Sequence, residues 1–367
     1  MRGELRAALL GAVAIGAGSC GGHEPQQPPG SSARPAPAPP PHPGHFAERL
    51  DVRSFQRGSV HAHSTVSDGD APIELVVKLY SRLGYQFAAI TDHNHYFDPR
   101  RFRYAERPDF VLLPGEEISM AGGPGGQTLV HVNALCTEHG IGGHEISDVA
   151  SSLQWAIDQV RAQGGAAIIN HPNWRWTIEP KDIGATHGAA MLEIFSGHTS
   201  THSEGNAEHS SSEEKWQQLL LDGATLAPAA VDDAHTYLEG PSTKSSEPGG
   251  YPGRAWVGVF GAETSREAIC RGLAEGRLYA SAGPVLRRLA VQGDTFTLWP
   301  DDPTVLVEFL GSSREAYLAT FPERDPDDPE NAWRASYRLS GPERFVRARI
   351  TQADGNQAWT AAYRVVP

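Results

Sequence analysis

The chain has 367 residues, 39% of them apolar, and a formal charge of −13. That length suits one large catalytic domain with a smaller module, and the negative charge excludes a nucleic-acid or anionic-membrane surface, which needs excess Lys and Arg. Histidine, at 16 residues, is more abundant than a core requires, and imidazole in number is what a metal site uses.

The first 20 residues read as an export signal. Arg2 and Arg6 give a positive start, and Ala7 to Ala17 is apolar but too short to span a bilayer. The stretch ends in Ala17-Gly18-Ser19-Cys20, where small residues before a cysteine resemble a bacterial lipoprotein cleavage box with Cys20 as the lipidated residue. Ala17 stands where leucine is usual, and simple secretion with an incidental cysteine is the alternative. No other apolar run is long enough to cross a membrane. Residues 21–48 are a Pro-rich linker that favours extended backbone and buries no core; His23, His42 and His45 are read as linker residues.

Strand and helix patterns then alternate over 49–285. Ser59 to His63 is a short strand, and Pro72 to Leu83 has helical spacing with Gly84 as the stop. Phe87 to Thr91, Phe110 to Leu113 and Leu129 to Leu135 are apolar strands. Ser147 caps a helix to about Gln163, ended by Gly164-Gly165. Ala166 to Asn170 and Met191 to Phe195 are strands, Ser211 or Ser212 caps a helix carrying Trp216, Leu219 and Leu220, Ala227 to Val231 is the next strand, and Thr264 caps a helix to about Glu275. Continuous apolar strands separated by helices imply an α/β protein with a parallel sheet covered on both faces. The number of units implies a barrel, whose chemistry collects at the carboxyl ends of the strands. From 286 to 367 the pattern changes to short alternating strands with turn signals, an all-β sandwich-like module. The acidic run Glu323 to Glu330 is expected to be a solvated connection. Cys136 and Cys270 permit one disulfide, but buried free thiols are the expected state.

The chemistry-bearing residues sit at the ends of these strands: His61, His63 and Asp68 in HAHSTVSDG, Asp92 and His93 in ITDH, Glu117 in LLPGEE, His131 in LVHVNAL, His171 in IINHP, and Asp233 and His235 in AAVDDAH. Imidazole nitrogen and carboxylate oxygen are the donors that borderline and hard divalent metals select. His61 and His63 are two apart on a strand, so both face one way, and Asp233 and His235 repeat the spacing.

These motifs, with PGEEIS and NHP, resemble the successive motifs of the PHP (polymerase and histidinol phosphatase) metallohydrolases over residues 60–284, and NHPNW, LEIFSGH and EEKWQQLLLDG followed by VDDAH are most similar to the CehA/McbA-like branch. The resemblance implies a distorted (β/α)7 barrel holding two or three divalent ions (zinc, manganese or iron), with a C-terminal β extension. It implies that His61, His63, Glu117 and Asp233 hold one ion, that Glu117 bridges to a second held by His131 and His171, and that Asp68, His93 and His235 hold the third. Glu117 is taken over Glu116 because the family motif ends in Glu-Ile/Val-Ser/Thr, here Glu117-Ile118-Ser119.

Asp92 is expected behind the ligands, orienting one of them. Glu193 is read either in the same way or as a plain strand-end carboxylate. His95 and His198 are candidates for a proton donor, for partners of a ligand, or for plain exposed histidines. Arg175, between Trp174 and Trp176, either binds a phosphate or carboxylate or packs in its loop. Gly122 to Gly126 is read as a hairpin tip, and Tyr237 to Arg254 as a candidate lid. The resulting expectation is an exported bacterial envelope hydrolase acting on a small, possibly phosphorylated, molecule. Phosphoesters lead. Esters, amides or carbamates follow, and a non-catalytic metal-containing binding protein is the alternative class. Neither the oligomeric state nor the substrate is specified by the sequence.

Overall fold

A computed structural model describes residues 44–122, 128–238, 250–261, 263–312, 316–328 and 332–367. The export signal, nearly all of the linker, most of the hairpin tip and the central part of the candidate lid lie outside these residues. Residues 42–367 form one compact unit. Among the described residues no helix is long and apolar enough to cross a membrane.

The architecture is mixed α/β, built on three open sheets. The largest runs from His45–Phe46 through the C-terminal strands Tyr363–Val366, Phe345–Thr351 and Gln357–Thr360, and continues through Leu278–Ser281, Trp256–Phe260, Phe55–Ser59 and Phe87–Ala89 to Val111–Leu113. A second sheet orders Ala227–Val231, Met191–Ser196, Ala166–Ile169, Thr128–Leu135, Gly115–Gly122 and Glu145–Ile146. The third joins Leu50–Val52 to Leu286–Gln292, Thr295–Pro300, Trp333–Arg338 and Glu323–Arg324.

Pairing is mixed rather than wholly parallel. Phe55–Ser59, Phe87–Ala89 and Val111–Leu113 run parallel, as do Ala166–Ile169, Met191–Ser196 and Ala227–Val231. Gly115–Gly122 and Thr128–Leu135 pair antiparallel. The physical reason is the connection: a handful of residues can close a hairpin, whereas a parallel crossover needs a dozen or more.

Among the described residues five α-helices cover the sheets: α1 (Ile73–Arg82), α2 (Val149–Ala162), α3 (Pro180–Gly184), α4 (Ser212–Leu221) and α5 (Arg266–Ala274). Their caps differ slightly from expectation. The Asp148 carboxylate, not Ser147, accepts from Ser151 N–H at the start of α2, and Ser265, not Thr264, accepts from Ala268 N–H at the start of α5. Each alternative lies one residue away and is an equally good capping type. Ser211 and Glu214 form a full capping box on α4.

Four apolar cores result. Leu153, Ile157 and Val160 of α2 and Trp216 and Leu219 of α4 pack on the outer face of the second sheet. Its inner face meets the first sheet through Val60, Phe87, Leu113, Ile168, Val231 and Val257. Val76, Val77 and Tyr80 of α1 cover Ile90 and Leu112. The C-terminal residues close a separate core around Phe296, Phe309, Val346 and Ile350, between the first and third sheets.

Three expectations are corrected. His45 begins a strand paired with Tyr363–Val366, so the last linker residues join the fold. Cys136 and Cys270 are joined in a disulfide, with Cα atoms 5.8 Å apart. The acidic run is not wholly solvated: Asp325 is buried and accepts from Trp299 Nε1 at 2.8 Å and Arg334 at 2.8 Å.

Candidate metal centre

The site forms where strand ends meet. Ala62 and Ala234 make an isolated parallel bridge just beyond their strands. Side chains alternate along extended backbone, so the residues flanking this bridge, His61 and His63 on one side and Asp233 and His235 on the other, project together. Asp233 takes a left-handed backbone (φ 47°), which lets its carboxylate face both histidines while its carbonyl accepts from His235 Nδ1 at 2.9 Å. Gly250 crosses directly above: a Cβ there would lie 1.8 Å from the Asp233 carbonyl oxygen, so only glycine fits. A second bridge, His93 to Glu117, brings in the strand that carries Glu117. That strand's antiparallel register sets Ser119 opposite His131 and Glu117 opposite Asn133.

His61 Nε2 lies 3.3 Å from Glu117 Oε2 and 3.2 Å from Asp233 Oδ1. His63 Nε2 lies 3.2 and 3.3 Å from the same two oxygens. Four donors held about 2.0 Å from one ion in a tetrahedron sit about 3.3 Å apart. All four atoms are buried and make no hydrogen bond, an arrangement that is costly for polar atoms unless a cation satisfies them. The donor set therefore fits a divalent ion. Glu117 Oε1 faces a second group, 2.9 Å from His131 Nδ1 and 3.3 Å from His171 Nε2. Asp68 forms a third, 3.5 Å from His93 Nε2 and 3.4 Å from His235 Nε2. All the residues expected as ligands thus converge.

Behind them lies a set of supports. His61 Nδ1 meets Glu193 Oε2 at 3.1 Å, and His93 Nδ1 meets Ser119 Oγ at 2.7 Å. Asp92 bonds a turn rather than a ligand ring: it accepts from Ser64 N–H, Ser64 Oγ and Ser67 Oγ, each at 2.7 Å, fixing the turn that delivers Asp68. Glu116 points away from the ligands and accepts from Ile141 and Gly142 N–H. Asp232, beside Asp233, accepts from the backbone of Gly253, Arg254 and Ala255 and from the Tyr80 hydroxyl. Burial pushes its carboxyl up to about 6.

Sequence reasoning missed Asn170 and Asn133. Asn170 Nδ2 donates to Glu117 Oε1 at 2.8 Å and to Asn133 Oδ1 at 3.0 Å, and Asn133 Nδ2 donates to the Val60 carbonyl. Their signal was present: Asn133 is an amide between apolar residues in the strand that carries His131, and Asn170 directly follows the apolar run AAII.

All of the ligands except His61 and His63 line a cavity of about 210 Å³ whose other wall is Trp174, His198, Ser200 and Thr201. Trp174 packs against His131 and His171, with ring centroids at 4.9 and 5.4 Å. His198 Nδ1 and Ser200 Oγ are 2.7 Å apart. His95 and Arg175 stand outside the cavity lining. His95 is exposed, its Nδ1 on the His93 carbonyl, and exposed Arg175 lies over Trp174. Trp176 turns away and stacks between His202 and His209.

Charge in the cluster is strongly coupled. Burial opposes ionisation of Glu117, but His131, His61 and His93 outweigh it and hold its carboxyl well below the usual range. Burial likewise opposes protonation of His93, but Glu117 and Asp68 push it up to about 10. A histidine raised from about 6.5 stabilises the fold fully below that value and loses the contribution as pH rises through about 10. The metal-free chain is therefore expected to lose thermal stability toward pH 10. The metal-loaded chain should instead weaken toward acid, as protons displace ions from imidazole. Melting curves across pH with and without chelator check this; parallel profiles would contradict it.

No protein-family model and no curated protein matches the sequence. Among solved structures, a two-domain protein from Bacteroides vulgatus containing a predicted PHP-like metal-dependent phosphoesterase is similar over 87% of this chain and 96% of its own, at 17% identity and TM-score 0.44. An amidohydrolase from Chromobacterium violaceum with bound sulfate and no metal is similar over 60% of this chain and 96% of its own, at 17% identity and TM-score 0.37. At TM-scores this low neither likeness bears on the reading of the site.

Proposed function

We propose that this chain is a metal-dependent hydrolase of PHP type that cleaves phosphoesters. The observation carrying this reading is the set of four buried, unbonded donor atoms of His61, His63, Glu117 and Asp233, each imidazole nitrogen within 3.3 Å of both carboxylate oxygens. His131 and His171 with the other oxygen of Glu117, and Asp68 with His93 and His235, would hold further ions. Zinc, manganese or iron bound here lowers the pKa of a water and polarises the scissile group.

The chain's own groups do the rest. Asn170 and Asn133 fix the orientation of Glu117, so that each oxygen serves a different group. His198 is placed to give a proton to the leaving group. The Ser200 hydroxyl can donate to or accept from His198 Nδ1, and so supports the ring before and after that transfer. Trp174 excludes water from one wall and offers an apolar face to the leaving group. Arg175 and His95, outside the cavity, would meet the distal part of a substrate. His198→Gln is expected to lower kcat by about 100-fold while leaving metal content unchanged; undiminished turnover would remove His198 from the reaction.

The second reading, ester, amide or carbamate hydrolysis of the CehA/McbA type, is favoured by one feature: none of the described lining residues is Arg or Lys. Turnover of aryl phosphomonoesters, phosphodiesters and carboxylic esters by the manganese-, zinc- or iron-loaded chain separates the two. Cleavage of aryl esters alone would refute the phosphoester reading, and stoichiometric metal with no turnover of any kind would favour a binding protein.

We read residues 49–285 as the catalytic body, a distorted and unclosed (β/α)7 barrel, and 286–367 as an accessory β module. We also place the mature protein in the bacterial cell envelope, anchored through Cys20. The disulfide supports an oxidising compartment. The mass of the mature N-terminus tests the anchor.

A further inference from the structure

We propose that the metal groups are unequal: the His61–His63–Glu117–Asp233 nest, backed by Glu193, holds the ion that is retained, and the Asp68–His93–His235 corner holds one that exchanges. The inference rests on the hydrolase reading and deepens it.

The first difference is burial. His61, His63 and Glu117 are 0% exposed and Asp233 is 4% exposed, whereas the Asp68 side chain is 53% exposed and that of His93 28%. A cation in the nest is shielded from water and attracted at low dielectric, while one at the corner sits against solvent. The second difference is charge. Glu117 and Asp233 both face the nest, whereas Asp68 is the only carboxylate of the corner set.

The third difference is Glu193. Its Oε2 lies 3.1 Å from His61 Nδ1, and both side chains are buried. An ionised carboxylate can only accept, so the ring must donate from Nδ1, which leaves the Nε2 lone pair aimed at Glu117 and Asp233. The carboxylate also makes the imidazole more basic and so a stronger donor. Its other oxygen has no hydrogen-bond partner, so His61 is the partner it serves. At the corner, Nδ1 of His93 meets the Ser119 hydroxyl and that of His235 the Asp233 backbone carbonyl; the carboxylate that also approaches His93 Nδ1, Glu117 Oε2 at 2.9 Å, is one of the nest's own ligands. Glu193 is thus a positioning residue.

The test is metal content per chain after dialysis of the zinc-loaded full-length protein against graded chelator. The wild type is expected to lose zinc in steps, with a last ion that resists. Asp68→Asn, at a half-exposed side chain, should remove the earliest step and leave the last one unchanged. Glu193→Gln should release the last ion at about 10- to 100-fold lower chelator strength. A single-step loss in the wild type, or an Asp68→Asn chain whose last ion is weakened as much as its first, would overturn the ordering. Glu193→Gln chains that remain folded by circular dichroism and keep wild-type retention would overturn the role of Glu193. A wild-type chain that binds no stoichiometric zinc, manganese or iron would instead sink the hydrolase reading itself.

Discussion

Replacing Glu117 with glutamine is expected to leave the chain folded and to lower kcat by about 10³-fold or more. The substitution keeps the shape of the side chain and the Asn170 contact to its Oε1 position. It removes one negative charge from a carboxylate within ion-pair distance of His61, His63, His93, His131 and His171. An amide donates on one side and accepts on the other, so it cannot present an anionic oxygen to both groups. Losing an ion forfeits several kcal/mol of transition-state stabilisation, and about 4 kcal/mol is a factor of about 10³. Steady-state kinetics paired with elemental analysis give the answer. Near-normal turnover with full metal content would disprove the bridging assignment.

The second large effect concerns stability. The Cys136–Cys270 disulfide closes a 134-residue loop. It ties the end of the Thr128–Leu135 strand to α5, beside the core of Leu135, Ile168, Ile269 and Leu273. In the chain-entropy account, a loop of that length restricts the unfolded chain by about 5 kcal/mol. Cys270→Ser, or reduction with both thiols then alkylated, is expected to lower the melting temperature by about 10 °C. Metal content should change little, because α5 carries none of the metal ligands and Cys136 lies past the end of the strand that carries His131. An unchanged melting temperature in the fully reduced chain would contradict this.

The site was legible in the sequence wherever the backbone does the placing. The H-x-H and D-x-H spacings translate directly into side chains projecting together around the Ala62–Ala234 bridge. Strand-end positions for His93 and His171 follow from short apolar runs that end in a polar residue, whereas Glu117 and His131 lie inside Gly115–Gly122 and Thr128–Leu135 rather than at their ends. What depends on pairing between distant segments was not legible. The antiparallel pairing of Thr128–Leu135 with Ala166–Ile169 and the seating of His45–Phe46 beside Tyr363–Val366 arise from long-range register, which period-2 patterning does not encode. The disulfide is of the same kind, since two cysteines carry no mark of which fold brings them within 5.8 Å. Asn133 and Asn170 were passed over for a different reason: amides are weak metal ligands, so a search for donors skips the residues that hold a donor still.

The first sheet is hydrogen-bonded without a break from Val111–Leu113, through Phe55–Ser59 next to His61, to the strands of the carboxyl-terminal residues. Gln357–Thr360 zips onto Leu278–Ser281, so a recombinant fragment stopped near residue 285 would bare a raw β edge with Ala280 and Tyr279 along it. Such an edge recruits other chains. Anyone trimming the gene to its metal-bearing portion should anticipate inclusion bodies rather than a smaller working protein.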